Sequence, residues 1–146
     1  MQKANAETVN FSGTYPADAC QFTGSPTTGI MGINLANPLA WGTDQNGGSP
    51  AAITLSYLGQ PTVTVNAVTG FDSAAGTVPS GTVFGTKAGL TNNGDIDSGS
   101  WFTTGSKSLQ LSNSYSNDTL YVNFAVTFGS APTSGNYLAS TTVTCS

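Results

Sequence analysis

Apolar and polar residues alternate at every second position in several short stretches of the chain, and this alternation predicts β-strands. The stretches cover residues 30–35, 53–57, 63–67, 83–84, 109–111 and 120–128. Residues 8–20 and 135–145 have a similar composition, which gives about eight strands in all. Clusters rich in Gly, Asn and Pro separate them, and no segment combines a helical period with capping residues. The pattern therefore predicts an all-β, antiparallel sandwich.

The stretch 120–128 has the clearest alternation in the chain. One face carries only large apolar side chains: Leu120, Val122, Phe124, Val126 and Phe128. We expect this strand to lie at the centre of the core. Residues 71–106 are rich in glycine and predict a long excursion with short strands. The expected organisation is an N-terminal extension over 1–11 and a single domain over 12–146.

Composition indicates an extracellular protein. Charged residues make up 7% of the 146 residues, against roughly 25% in an average soluble protein. The net charge is −4, so no basic patch is expected and nucleic acid is excluded as a partner. No apolar run reaches the roughly 18 residues of a membrane-spanning helix, so no membrane span is expected.

The chain has two cysteines, Cys20 and Cys145, near its opposite ends. They predict one disulfide formed in an oxidising compartment. A loop of this length would stabilise the fold by about 4 to 5 kcal/mol in the chain-entropy model. Two buried free thiols are the alternative interpretation.

The residues that carry chemistry in enzymes are scarce. The chain has no histidine, which removes catalytic triads and imidazole metal sites, and its seven acidic residues are scattered. We predict that it is not an enzyme and has no cofactor. Asn93, Asp95 and Asp97 are spaced two residues apart like calcium ligands. A solvated turn is the favoured interpretation, because Ser98 and Thr104 stand where an EF-hand has Gly and Glu.

The two end segments resemble those of chaperone-usher pilins. The run from Thr8 through Phe11 to Gly13, then a small-residue stretch and Cys20, is similar to the opening pilin strand. The Gly-Asn-Tyr start at residue 135, running into alternating Thr and Val, is similar to the closing strand. The resemblance implies an immunoglobulin-like sandwich that lacks its last strand. In pilins a donor strand from the next subunit completes it.

The resemblance also implies a function and its residues. The chain would be a structural subunit of a secreted bacterial fibre, a pilus or fimbria that supports adhesion or biofilm. Identical subunits would join head to tail, with a periplasmic chaperone and an outer-membrane usher as assembly partners. The implied donor residues are Ala4, Ala6, Thr8, Val9 and Phe11, and the implied acceptor-groove residues are Tyr137, Leu138, Thr141 and Val143. A longer native extension, a donor running into 8–11, or a self-completing domain would each fit the few apolar residues in 1–7.

The main alternative is a monomeric carbohydrate-binding or adhesin module of the same fold class. Aromatic rings can stack on sugar rings while Asn and Asp bind hydroxyls. Trp101 is the leading candidate for a glycan contact, because it lies in a glycine-rich loop and loops often carry binding sites.

Overall fold

The computed structural model describes residues 5–68, 71–73, 78–96, 102–112 and 115–146. This part of the chain is all-β with antiparallel sheets. It contains no helix, and therefore no helix that could cross a membrane. The strands are β1 Ala19–Phe22, β2 Gly32–Ile33, β3 Ala40–Gly42, β4 Ala51–Leu58, β5 Thr62–Val65, β6 Asp72–Ser73, β7 Val83–Leu90, β8 Gly94–Asp95, β9 Lys107–Gln110, β10 Tyr115–Thr127, β11 Tyr137–Leu138 and β12 Val143–Cys145.

The first sheet is built around β10. β4 and then β3 pair along one edge of β10, and β7 pairs along the other. β1 extends the sheet beyond β4, β2 extends it beyond β3, and β8 extends it beyond β7. The long alternating stretch is thus the central strand, and the prediction for residues 120–128 is confirmed.

The second layer is formed by shorter strands. β5 lies between β12 and β9, and β6 pairs with β11. Between these two pairings, the backbone N–H of Asn66 donates to the carbonyl of Thr142 at 3.0 Å. The described residues 62–66 and 72–73 therefore run side by side with residues 137–146, in the opposite direction.

Two apolar clusters fill the space between the layers. The first combines side chains of both layers: Leu55, Tyr57, Val63, Val65, Ala88, Leu90, Leu111 and Leu120. The second cluster is aromatic, and Phe71 lies near its middle. The centre of the Phe71 ring is 5.4 Å from the ring centres of both Phe84 and Phe124. Burial of each apolar side chain stabilises the folded chain by about 1.5 to 3 kcal/mol. Two layers that bury such clusters between them are consistent with the predicted β-sandwich.

Cys20 and Cys145 form a disulfide, and neither is a free thiol. The predicted pairing is confirmed, and the alternative of two free thiols is wrong. Because Cys20 lies on β1 and Cys145 on β12, the bond joins the two layers covalently at their edges.

Several predicted strand boundaries are wrong. Residues 5–16 form no strand, and β1 begins only at Ala19. Val9 and Phe11 are 73% and 92% exposed, so the alternation there has no surface to pack on. Of the predicted strand 30–35 only Gly32–Ile33 forms, and the predicted closing strand divides into β11 and β12.

The prediction for residues 71–106 is also partly wrong, because this region contains the eight-residue strand β7. Two of its glycines have neighbours that a side chain would displace. A Cβ on Gly85 would lie 2.6 Å from the carbonyl oxygen of Thr103, and one on Gly89 would lie 2.9 Å from Asp95. Glycine is thus required at position 85 by close packing against backbone, whereas at position 89 only the Asp95 side chain would have to move.

A buried carboxylate ties β10 to neighbouring elements. Asp118 is fully buried and accepts hydrogen bonds from the Tyr57 hydroxyl at 2.7 Å and the Asn92 backbone N–H at 3.0 Å. Its own neighbour, the N–H of Thr119, donates to it at 2.9 Å. A buried charge is tolerated only when such donors replace water.

We expect Asp118→Asn to lower the free energy of unfolding by about 2 to 3 kcal/mol, because the amide turns an NH₂ group toward donors. Urea unfolding measures the change. Asp44→Asn, at an exposed position, is the matched control and should stay within about 0.5 kcal/mol of the wild type. Equal stability of the two variants would contradict this role.

Reduction of the disulfide, which closes a separation of 125 residues, should lower the free energy of unfolding by about 4 to 5 kcal/mol. The measurement is urea unfolding with and without a phosphine reductant. The double variant Cys20→Ala/Cys145→Ala should respond to urea like the reduced protein and should not respond to the reductant. A loss of less than about 1 kcal/mol would show that the bond constrains little of the unfolded chain.

Candidate functional site

A groove of about 480 Å³ opens between the two layers on the side where β1 and β12 lie. One wall is formed by residues 26–29 and the start of β4. The other wall is residues 137–143, and the floor includes Leu120, Val122 and Phe124 of β10. Apolar atoms provide most of the lining. We call this feature the groove.

All four residues implied as an acceptor groove line this groove: Tyr137, Leu138, Thr141 and Val143. The ring of Tyr137 packs edge-on against Trp41 with the ring centres 5.5 Å apart. Leu138 is 68% exposed at the rim, and the Thr141 hydroxyl donates to the carbonyl of Asn66. The structure therefore brings these side chains together, while their role as an acceptor stays a prediction.

The second layer has an unpaired edge beside the groove. Thr62 and Ser146 exchange both backbone hydrogen bonds, at 2.7 and 3.0 Å. In an antiparallel pair the next residue turns its backbone groups the opposite way. Cys145 and Val143 therefore direct their N–H and C=O groups away from β5, and β12 pairs with no other described strand.

The first sheet ends in a similar edge. The N–H of Thr23 donates to the carbonyl of Thr54 at 2.9 Å, so by the same alternation Cys20 and Phe22 direct their backbone groups away from β4. Within the described ranges β1 pairs only with β4. Residues 26–29, which follow β1 in the chain, line the groove, whereas β1 itself does not.

The disulfide closes one end of this arrangement. At Cys20 and Cys145 the two edges are 5.8 Å apart between Cα atoms. Away from the bond, the chain that continues β1 and the chain that precedes β12 become the two walls of the groove.

A buried hydroxyl also lines the groove. Thr86 is 2% exposed, and its backbone exchanges two hydrogen bonds of 3.0 Å with Thr103. Its Oγ1 atom has no hydrogen-bond partner among the described residues. Sequence analysis missed this position, because a threonine in a strand is a common residue whose pairing is decided by its neighbours.

The implied donor residues that the structure describes do not pack into the core. Ala6, Thr8, Val9 and Phe11 are all exposed, and Ala4 lies outside the described residues. The Asp18 carboxylate accepts the N–H of Gln60 at 2.7 Å, which holds the start of β1 against the β4–β5 turn. The extension therefore leaves at the closed end of the groove.

The other predicted sites have different outcomes. Trp101 and Asp97 lie outside the described residues, and Asp95 is exposed on β8. The side-chain amide of Asn93 is directed to Tyr57 and Asp118. Among the residues described, no group of three or more acidic, Cys or His side chains could hold a metal ion. The solvated turn thus stays the favoured prediction for residues 93–97, with calcium as its alternative, and Trp101 stays a candidate glycan contact.

Thr86→Val should raise the free energy of unfolding of the purified chain by about 1 to 2 kcal/mol, because it removes a buried hydroxyl without a partner. Thermal or urea unfolding measures this. Thr64→Val is the matched control, since the Thr64 hydroxyl is 2.8 Å from that of Ser108, and it should give no gain. Destabilisation by Thr86→Val would show that the hydroxyl is satisfied in solution.

Comparison with known proteins identified no relative: the chain matches no protein-family model, no curated protein and no solved structure. Its function must therefore be argued from the geometry of the groove, the sheet edges and the exposed extension.

Proposed function

We propose that the chain is a structural subunit of a secreted fibre and that its subunits join by strand complementation. The observation that carries the proposal is an apolar groove near two sheet edges, neither of which pairs with a further strand among the described residues. Such an edge is a template for an added strand. An added strand would extend one of these edges, away from the disulfide, and place its alternate side chains over the floor formed by β10.

The proposed occupant is the N-terminal extension of a second copy of the chain. Val9 and Phe11 are alternate residues, so in an extended conformation both point to the same face, and both are exposed in the single chain. Tyr15, which is 82% exposed, continues the same alternation. The extension thus supplies the apolar side chains that the groove requires.

The placement of the extension favours head-to-tail assembly. It leaves each subunit beside the β4–β5 turn, at the closed end of the groove, and the groove opens at the other end of β4. When identical subunits join through two different surfaces, each contact leaves a free surface for the next subunit. The assembly stays open unless the rotation between successive subunits closes a ring. Repetition of this contact therefore produces a filament.

Non-covalent joints of this kind would be long-lived. Burial of three to five apolar side chains at about 1.5 to 3 kcal/mol each, with a ladder of backbone hydrogen bonds, makes dissociation very slow. The disulfide and the low charge fit a secreted, extracellular fibre that supports adhesion or biofilm. By resemblance to pilins, a periplasmic chaperone would protect the groove and an usher would guide assembly.

The test is an SDS gel of natively secreted protein, unboiled beside boiled. We expect unboiled samples to form a ladder of multiples of the 14.8 kDa chain that collapses on boiling. The double variant Val9→Asp/Phe11→Asp should remain monomeric, because charges cannot enter an apolar groove. Leu35→Asp, at a residue that is 81% exposed and outside the groove, is the matched control and should retain the ladder.

Monomer in both lanes would overturn the fibre proposal and favour a domain that completes itself. A ladder that survives Val9→Asp/Phe11→Asp would show that subunits polymerise through a different contact.

A further inference from the structure

A second hollow lies on the outer face of the first sheet, away from the core and the groove. It has a volume of about 400 Å³ and lies over β7 and β10. We call it the outer hollow and define it by six side chains: Asp44, Lys87, Asp95, Phe102, Tyr121 and Asn123.

Glycines make room for the outer hollow. Gly89 is the cross-strand partner of Tyr121 on β10, so no side chain from β7 covers that ring. A Cβ on Gly89 would lie 2.9 Å from Oδ1 of Asp95, and one on Gly42 would lie 2.8 Å from Oδ1 of Asp44. Each carboxylate therefore lies against the backbone of one glycine, Asp95 against Gly89 and Asp44 against Gly42. A larger residue at either glycine would displace the carboxylate.

Charged side chains are concentrated at this hollow. Lys87 and two aspartates share it, although only 7% of the chain is charged. Within the described part of the chain, neither Asp44 nor Asp95 forms an ion pair with Lys87. Donors and acceptors thus surround the space without neutralising each other.

Asn123 is held in one orientation by Thr43. The Thr43 hydroxyl donates to Oδ1 of Asn123 at 2.7 Å and accepts the N–H of Phe124 at 3.0 Å. Thr43 is buried at 5% exposure, so this pair is fixed by the packed interior. The amide oxygen of Asn123 is therefore used within the protein, and its NH₂ group can donate to a ligand.

The outer hollow also has aromatic surface. Tyr121 is 42% exposed at the centre of a sheet, and Phe102 lies on the opposite side of β7 from β10 because residues 102–103 run along that edge. Exposed aromatic rings with nearby polar groups are typical of sites for ligands that have both an apolar face and hydroxyls.

We propose that the outer hollow binds a saccharide. A sugar ring offers an apolar face to Tyr121 and hydroxyls that can donate to Asp44 and Asp95 and accept from Lys87 and Asn123. Two carboxylates disfavour an anionic ligand, and Lys87 disfavours a metal cation. This inference is independent of the fibre proposal. Because the hollow and the groove lie on opposite faces of the sheet, a polymerised subunit could present it along the side of a filament.

The test is binding of the full-length, labelled protein to an immobilised panel of defined neutral, amino and acidic oligosaccharides. We expect binding to at least one class, weakened about tenfold or more by Tyr121→Ala and by Asp44→Asn. Leu35→Ala, at an exposed apolar residue outside the hollow, is the matched control and should bind normally. The thermal unfolding midpoint of each variant establishes that it is folded. If Tyr121→Ala does not fold, Asp44→Asn still tests the proposal.

No binding to any member of the panel would overturn the proposal. Undiminished binding by the folded Tyr121→Ala and Asp44→Asn variants would also overturn it. So would a loss of binding in Trp101→Ala alone, which would assign the contact to Trp101. None of these results affects the gel ladder, so failure of this inference and failure of the fibre proposal are distinguishable.

Discussion

The structure depends on the burial of one face of β10. Side chains from Leu120 to Phe128 on that face join both apolar clusters, and three of them also form the floor of the groove. The opposite face of the same strand carries Tyr121 and Asn123, which line the outer hollow. Since alternate side chains of a strand point to opposite faces, the register that buries the apolar residues also places the polar ones outside. One constraint thus positions both candidate sites.

Along the β1–β12 side, the disulfide is the covalent link between the two layers of the described chain. The disulfide holds the edges together at one end, and beyond it no described strand pairs with either edge. Unpaired edges beside apolar surface are normally a liability, because they invite association with other chains. In the proposed fibre this tendency of the free subunit becomes the driving force for assembly.

The two proposals fit one molecule without competing for surface. Strand addition would occupy the side of the sandwich between the layers, whereas a saccharide would occupy the outer face of the first sheet. The scarcity of charge elsewhere makes the cluster of Lys87 with two aspartates more informative than it would be on an ordinary surface. In the proposed fibre, polymer contacts and ligand contacts would thus use different faces of the subunit.

The sequence by itself determined the fold class, the central strand and the disulfide, because a two-residue period and two cysteines are local signals that few structures satisfy. It also indicated Tyr137, Leu138, Thr141 and Val143, which lie together on one wall of the groove. Only the tertiary structure decided that residues 5–16 form no strand, since alternation at Val9 and Phe11 becomes a strand only where a partner edge is available. The wall at 26–29, the isolated hydroxyl of Thr86 and the outer hollow likewise depend on residues distant in the chain. Pairing, burial and shared cavities are properties of neighbours in space, and a residue's own type and spacing do not determine them.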